Sequence, residues 1–370
     1  MTRPAWVEVD LGAIRENVRG ICERLTPGTQ YLAVVKANAY GHGDTAVARA
    51  ALEAGATWLG VILVDEGIRL RDAGIEAPIL LLHEPPADRA VDVIAHRLTP
   101  SVFTEGGIAA LGDAAERTGT TIPVHLKIDT GLNRLGVPFD GLDEIARVLV
   151  KESRLELQAV FSHFAFADEP ANPFIDTQIA RFEEACARAS ALGLSWDFRH
   201  IGNSAAALSR PDAHLDMVRV GIATYGLAPS TACAEIVPLK PALSLKAKVA
   251  MAKRVAAGEG VSYGLRYRLE RPGTIVSLPL GYADGWTRAL SGNAEVLIGG
   301  RRYPTVGTVC MDSFMADLGD DECAIGDEAV LIGAQGSERI TAEDVAARVG
   351  TINYEVVTLL TPRLERVFVG

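Results

Sequence analysis

The residue with the clearest chemical potential is a lysine that follows an apolar run. Residues 31–44 read YLAVVKANAYGHGD, so Lys36 ends a mostly apolar, partly β-branched segment, and a loop with two glycines leads to Asp44. This pattern predicts a buried strand, a loop and an N-capped helix. A lysine at the end of a buried parallel strand lies where α/β folds bind ligands, and partial desolvation there lowers the pKa of its amine. The position fits Schiff-base chemistry, although spacing alone favours the commoner strand-end lysine that reaches solvent.

Other polar side chains follow later predicted strands. Lys127 ends a fifth strand and leads into a Gly-flanked loop that carries Arg134, and His163 ends a sixth strand. Asn203 and Ser204 open a helix after a seventh strand, where free backbone amides can bind an anion. Taken singly, each residue also fits an ordinary role as a solvated loop residue, a core histidine or a helix cap.

Arg219 does not fit such a role. It lies inside the apolar run MVRVGIATYGL, close to Gly221, which allows a close backbone approach. A buried guanidinium without a partner costs several kcal/mol, so Arg219 must meet a specific group.

The elements that position these residues form a regular series. Strand candidates with helical patterns between most of them lie at residues 31–36, 58–63, 79–82, 98–102, 124–129, 157–162, 198–202 and 217–224. Eight strands in this rhythm predict a (β/α)8 TIM-type barrel over residues 1–235. A doubly wound open sheet is the structural alternative.

The pattern changes after Ala228. A Pro- and Ala-rich passage follows, and then alternating segments separated by Gly-rich turns, with one helix at 341–349 and a last segment, 356–369, that reads as strand. Residues 236–370 therefore predict a C-terminal, mainly β domain.

Composition excludes several classes of protein. The chain has 370 residues, 48% of them hydrophobic, and a net charge of -11, which argues against a nucleic-acid surface. Five widely spaced cysteines indicate free thiols and no metal framework. The charged N-terminal residues do not fit a signal peptide, and no apolar run predicts a membrane span, so we expect a cytoplasmic protein.

The segment VVKANAYGHG resembles the pyridoxal 5'-phosphate (PLP) attachment motif of the alanine racemases, and the other segments resemble that family in order over essentially the whole chain. The resemblance implies that Lys36 carries PLP and that Tyr40 contacts the phosphate. It implies that Arg219 faces the pyridine nitrogen and disfavours its protonation, which favours reprotonation of the substrate over transamination. Arg134 would contact the substrate carboxylate.

The remaining positions take their roles from the same resemblance. Lys127 matches a carbamylated lysine that orients Arg134, and without the carbamate the two cations would repel each other. Tyr263 matches the second acid/base, contributed by the other subunit of a homodimer. The other implied residues are His163, Asn203, Ser204, Gly221, Ile222 and Tyr354 for the cofactor, Met311 for the substrate, and Asp312 and Tyr282 in support.

The resemblance implies interconversion of L- and D-alanine by two bases, with D-alanine supplied to peptidoglycan. Bulky Tyr282 and Tyr354 at the implied entrance favour a small substrate, but a serine or broader racemase stays open. A related decarboxylase is disfavoured by Arg219 and Tyr263, and a non-catalytic PLP-carrying protein by the β domain. Ser313 and Gly202 depart from the residues frequent in the family, glutamine and alanine.

Overall fold

A computed structural model describes residues 4–370, so the first three residues of the charged N-terminus lie outside it. The chain forms two compact units. The first, the β unit, comprises the N-terminal residues to Leu11, Tyr40–Gly43 and Ala242–Gly370. The second, the barrel unit, comprises Gly12–Ala39 and Asp44–Pro241. The β unit is therefore assembled from segments that are distant in sequence.

Eight parallel strands form the core of the barrel unit, in chain order from the first to the eighth barrel strand. They are Gln30–Val34, Trp58–Val61, Ile79–Leu81, Thr99–Val102, Ile122–Asp129, Leu155–Phe161, Phe198–His200 and Met217–Val220. The first seven pair in parallel in chain order, and the eighth strand pairs with the first, with Arg219 opposite Leu32. Between the seventh and eighth strands, the Asp216 N–H donates to the Arg199 carbonyl at 3.2 Å. This closes the ring, so the predicted barrel is confirmed and the open sheet is excluded.

Helices lie between most of these strands because amphipathic segments follow each strand end. Their bounds are Leu11–Cys22, Asp44–Glu53, Val64–Asp72, Ala90–Ala95, Glu105–Thr118, Leu142–Lys151, Phe174–Ala191 and Ser204–Ser209. Local signals set their ends: Thr104 accepts a hydrogen bond from the Gly107 N–H at the start of Glu105–Thr118, and Gly119 ends that helix in the left-handed conformation. A short strand, Val137–Pro138, pairs with the fifth barrel strand.

The β unit is built from mainly antiparallel strands. They are Ala5–Asp10, Leu243–Lys248, Met251–Val255, Gly260–Val261, Tyr267–Arg268, Gly273–Leu278, Glu295–Ile298, Arg301–Val306, Phe314–Asp317, Glu328–Gln335, Glu338–Ile340 and Glu365–Val369. The N-terminal strand lies between two C-terminal ones, antiparallel to Leu243–Lys248 and parallel to Glu365–Val369. These partners lie more than 230 residues away along the chain, so local sequence patterns do not indicate them.

One predicted strand is wrong in part. Residues 356–369 were expected to be extended, but Asn353–Thr358 is a helix, and only Glu365–Val369 forms a strand. The β-branched residues Val356 and Val357 favour a strand locally. Together with Asn353 they are buried at helical spacing, so tertiary packing overrides the local preference.

The helix predicted at 341–349 is confirmed as Ala342–Val349, capped by Thr341. All five cysteines are free thiols. Within residues 4–370, no helix is both long enough and apolar enough to cross a membrane.

Candidate active site

Lys36 lies two residues beyond the first barrel strand, at the start of an unusual turn. The next four residues, Ala37, Asn38, Ala39 and Tyr40, all have φ between 52° and 53°, in the left-handed region. Left-handed backbone costs a residue other than glycine about 1–2 kcal/mol. A turn of four such residues persists only where other contacts hold it, and strain of this kind clusters at functional sites. Sequence patterns predicted a loop here but not its handedness.

The carboxylate of Glu66 fastens the start of this turn. Its Oε1 accepts a hydrogen bond from the Ala37 N–H at 2.6 Å, and its Oε2 accepts from the N–H groups of Ile62 and Leu63 at 2.9 and 3.1 Å. Glu66 is buried, so these three bonds are shielded from water. It thereby ties the residue after Lys36 to the end of the second barrel strand. Sequence reasoning missed Glu66, whose only signal was an acidic residue in the first turn of a helix.

Burial lowers the pKa of the Lys36 amine, and the positive charge of Arg134 lowers it further, while Glu66 opposes the shift. Lys127, two residues before the end of the fifth barrel strand, has an amine pKa that is lowered more strongly. Burial, followed by the charges of Arg219 and Arg134, lowers its pKa to about 7. Its Nζ donates to the carbonyl of Leu82 at 3.2 Å. Both amines are therefore more readily deprotonated than an ordinary lysine.

Arg219 has the specific partners that its burial demands. Its Nη1 donates to His200 Nδ1 at 2.8 Å, and its Nη2 donates to His163 Nδ1 at 3.1 Å and to the Ser162 carbonyl at 2.7 Å. The guanidinium also lies 5.3 Å from the centre of the Phe161 ring. Burial, followed by the charge of Arg134, lowers its pKa to about 9, so Arg219 stays a cation at neutral pH.

His163 shows that these groups form one cluster. Burial lowers its pKa well below the ordinary value, and the charges of Arg219, Arg134, Lys127 and Lys36 lower it further, in that order. The barrel unit therefore brings together the lysines, arginines and histidine that sequence reasoning selected, and it holds His163 as a neutral imidazole.

The predicted phosphate ligands of the barrel unit also lie together. The Gly221 N–H donates to Ser204 Oγ at 2.8 Å, which joins the end of the eighth strand to the start of the helix Ser204–Ser209. Because Ser204 Oγ accepts this bond, its hydroxyl hydrogen is directed elsewhere and can meet an anion. Asn203 Oδ1 caps the helix by accepting from the Ala206 N–H at 3.1 Å. The hydroxyl and the backbone amides suit a phosphate group, so the residues present fit PLP.

Gly202 has a structural reason to depart from the alanine expected at this position. A Cβ on Gly202 would lie 2.9 Å from the carbonyl oxygen of Ala213 and 3.2 Å from a methyl group of Val218. The backbone before Asn203 is thus packed against the segment that leads into the eighth strand.

The other predicted site residues belong to the β unit. Tyr263 lies in a 3-10 turn and is 75% exposed. Its neighbours Ser262 and Leu265 have φ values of 65° and 45°, and the Thr308 hydroxyl donates to the Tyr263 carbonyl at 2.9 Å. A groove of about 650 Å³ lies beside this turn. The turn holds a large aromatic ring in solvent at some conformational cost.

Two further segments of the β unit lie side by side. The N–H of Tyr282 donates to the Cys310 carbonyl at 3.1 Å, next to the exposed side chain of Met311. Arg363 donates to Asp312 Oδ1 at 2.6 Å and fixes that loop.

Tyr354 lies on the helix Asn353–Thr358, and its ring centre is 6.2 Å from that of Tyr40. Tyr282 lies in a 3-10 turn, so neither tyrosine occupies a strand. Among the predicted site residues, the β unit thus brings the ring of Tyr40 close to that of Tyr354, and it places the segment that carries Tyr282 beside the one that carries Met311.

Known proteins resemble this chain over its full length. The family model described as "Alanine racemase, N-terminal domain" matches residues 9–229, and the one described as "Alanine racemase, C-terminal domain" matches residues 242–368. An alanine racemase of Symbiobacterium thermophilum is 45% identical over 369 residues, which cover 100% of this chain and 98% of that protein.

Solved structures agree with this match. The Bacillus anthracis alanine racemase with bound L-Ala-P has a TM-score of 0.95 and 41% identity, covering 100% of this chain and 95% of the other. A histidine racemase from Leuconostoc mesenteroides has a TM-score of 0.91 and 32% identity, covering 100% and 98%. With both of its domains matched, this chain is an amino-acid racemase that belongs to the alanine racemase family.

Proposed function

We propose that this chain is a PLP-dependent racemase that interconverts L- and D-alanine. The observation that supports this most directly is the environment of Lys36, an amine of lowered pKa held by a strained turn at the end of the first barrel strand. A Schiff-base lysine must be able to lose its proton, and this environment favours the loss.

PLP, when bound, withdraws electrons from the Cα of the attached amino acid and so acidifies its Cα–H bond. Ser204 and the amide of Ile222 would hold its phosphate, together with Tyr40, the fourth residue after Lys36, while the Gly221 N–H, which donates to Ser204 Oγ, would orient that hydroxyl toward the phosphate. Asn203, His163 and Tyr354 would complete its surroundings. Arg219, held as a cation by its fixed partners, would donate to the pyridine nitrogen and keep that nitrogen unprotonated. A weaker electron sink favours quick return of the proton over side reactions.

Racemisation requires a proton donor and a proton acceptor on opposite faces of Cα. We assign Lys36 to one face and Tyr263 of a second copy of the chain to the other. The exposed ring of Tyr263, on a turn with left-handed neighbours beside a large groove, supports this assignment. In an isolated chain, the exposed ring gains no burial that would offset the conformational cost of its turn. In a homodimer, the second copy of the chain would cover the ring.

Lys127 is proposed to carry a carbamate. With a pKa of about 7, much of its amine is neutral at physiological pH and can attack CO2. A new N–C bond forms, one C=O bond becomes C–O⁻, and the amine loses a proton. A cation between Arg134 and Arg219 is thereby replaced by an anion that pairs with them, which would orient Arg134 toward a substrate carboxylate.

The test of the proposal uses the Lys36→Ala variant. Purified wild-type protein should be yellow, and borohydride should fix the cofactor covalently to Lys36, whereas the variant should trap none and should not racemise alanine. Lys151→Ala is the matched control, because Lys151 is an exposed lysine on a helix. Cofactor trapped on the chain of the Lys36→Ala variant would refute the assignment.

A broader racemase is the second candidate function. The 32% identity with a histidine racemase of the same fold shows that this architecture accommodates another side chain. Alanine, serine and histidine should therefore be compared by kcat/KM, with alanine expected to exceed the others. In a cell with a peptidoglycan wall, the D-alanine produced would supply the synthesis of that wall.

A further inference from the structure

Two histidines and a glutamine inside the barrel extend the contacts of Arg219 away from the cluster at the strand ends. His200 Nε2 lies 3.1 Å from His125 Nδ1, and His125 Nε2 lies 3.3 Å from Gln158 Oε1. With the bond from Arg219 Nη1 to His200 Nδ1, these contacts form a continuous chain of four side chains. His125 and His200 are fully buried. None of the roles assigned above uses His125 or Gln158.

The direction of every hydrogen bond in this chain follows from Arg219. A guanidinium has only donors, so His200 Nδ1 must accept, and a neutral His200 then carries its hydrogen on Nε2. That N–H donates to His125 Nδ1, so His125 likewise carries its hydrogen on Nε2. The last donor needs an acceptor, and Gln158 presents its oxygen. Arg219, which has no hydrogen-bond acceptor, thus sets the tautomers of His200 and His125 and the orientation of the Gln158 amide.

The rings have little freedom to depart from this arrangement. His200 stacks on Phe161 with a centroid distance of 4.6 Å and an angle of 3°. His125 packs against Trp58 at 5.4 Å and against Phe198 at 5.3 Å.

The electrostatic surroundings keep both imidazoles neutral. Burial, followed by the charge of Arg219, lowers the pKa of His200 well below its ordinary value. Burial also lowers the pKa of His125 to about 3, and Arg219 contributes to that shift as well. A second proton on His200 would have to occupy Nδ1 and would point at a donor of Arg219.

We propose that His125 and Gln158 are positioning residues, which hold the ring plane of His200 through its Nε2–H and thereby hold the Arg219 guanidinium in one orientation. The inference rests on the proposed role of Arg219 at the cofactor. Because both imidazoles stay neutral, the orientation of Arg219 does not change with pH over the range in which the enzyme is folded.

The tautomers can be measured without reference to activity. Proton–nitrogen correlation spectra of holoenzyme labelled with nitrogen-15 histidine distinguish Nδ1–H, Nε2–H and doubly protonated rings. The protein has seven histidines, so few resonances need to be resolved. His125 and His200 should both be Nε2–H and should stay so as the pH is lowered through the range in which the enzyme is folded. An Nδ1–H tautomer at either position would overturn the proposal.

Substitutions then test the function of the chain. His125→Phe keeps a ring among its aromatic neighbours but removes both nitrogens, and Gln158→Leu removes only the final acceptor. Each should shift the His200 resonances and lower kcat by about tenfold, with KM changed by less than about twofold. Phe198→Leu is the control, since it loosens the packing of both histidines without removing a hydrogen bond. It should leave the tautomers unchanged and kcat within about twofold.

Gln158→Glu provides an independent readout at a position less buried than His125. A carboxylate there favours a doubly protonated His125, whose new Nδ1–H would face the Nε2–H of His200 and disrupt the chain. The variant should acquire a new acid limb in its kcat–pH profile.

Unchanged kcat, pH profile and His200 resonances in these variants would overturn the proposal. If the tautomers are as stated but wild-type enzyme does not racemise alanine, the chain of bonds stands and the proposed function fails.

Discussion

Glu66→Gln should loosen the turn that carries Lys36. The substitution preserves shape but leaves one oxygen where the carboxylate used two, so an amide group must face either the Ala37 N–H or the N–H groups of Ile62 and Leu63. Four left-handed residues store roughly 4–8 kcal/mol, at about 1–2 kcal/mol each. A buried hydrogen bond to a charged acceptor contributes about 1.5–3 kcal/mol. Losing one and weakening the others should lower the free energy of unfolding by about 2–4 kcal/mol.

Glu84→Gln is the matched control. Glu84 makes a similar set of contacts in the barrel unit, accepting from the backbone N–H groups of Phe103 and Thr104 at 2.6 and 3.0 Å and from the Thr104 hydroxyl. That hydroxyl can rotate to accept from the new amide, so the control should lose less stability, about 1–2 kcal/mol.

Urea denaturation measures the two stabilities, and hydrogen–deuterium exchange of the peptide around Lys36 locates the effect. Only Glu66→Gln should speed exchange at residues 36–41 and reduce the amount of PLP trapped by borohydride. If exchange in that peptide and cofactor trapping equal the wild-type values, Glu66 does not hold the turn and the reasoning is wrong.

Three further perturbations follow from the site. In CO2-free buffer, Lys127→Met should have a higher free energy of unfolding than wild type below pH 7, and the difference should shrink as the pH rises toward 10.5. The reason is that burial lowers the pKa of Lys127 in the folded state to about 7, so protonation of this amine destabilises the folded protein at every pH below 10.5. Equal stabilities at every pH in a denaturation series would contradict the assigned burial. Lys36→Ala and Tyr263→Phe homodimers should each be inactive or nearly so. Dissociating the two variants, mixing them and letting them reassociate should restore activity, because a mixed dimer has one site with both groups intact. No recovery of activity despite confirmed subunit exchange would refute the shared site. Gly202→Ala should lower stability by about 1–3 kcal/mol in urea titrations, because its Cβ would crowd the Ala213 carbonyl, and an unchanged midpoint would show that this backbone yields.

The barrel could be predicted from the sequence because periodicity and strand ends are local signals. The apolar run before Lys36, the strand that ends near Lys127 and the buried position of Arg219 each depend on neighbours within a few residues. Lys127 and Arg219 lie in the carboxyl-terminal halves of their strands, which is the side on which a barrel carries its functional groups. Residues that act through long-range contacts gave no such signal: Glu66 meets Ala37 across 29 positions, and His125 meets His200 across 75.

The handedness of the turn after Lys36 also escaped prediction. Alanine and tyrosine rarely adopt positive φ, and one asparagine, which does so more readily, does not predict four such residues in a row. The contacts around the segment impose the left-handed turn. The helix Asn353–Thr358 was missed for a related reason, since its β-branched residues favour a strand until burial decides otherwise. In both segments the deciding contacts come from outside the segment.

The N-terminal strand Ala5–Asp10 has a consequence for how the protein is made. On the ribosome this strand emerges long before its two partners, because one of them begins at Leu243 and the other is Glu365–Val369. Until Leu243–Lys248 is made, it is an apolar strand with both edges unpaired, the state in which nascent chains associate with one another or with chaperones. The barrel segments from Gly12 to Pro241 can condense while translation continues. Complete pairing of the N-terminal strand must wait until Glu365–Val369 has left the ribosome, so a stop codon before that segment would release a protein whose first strand has lost a partner.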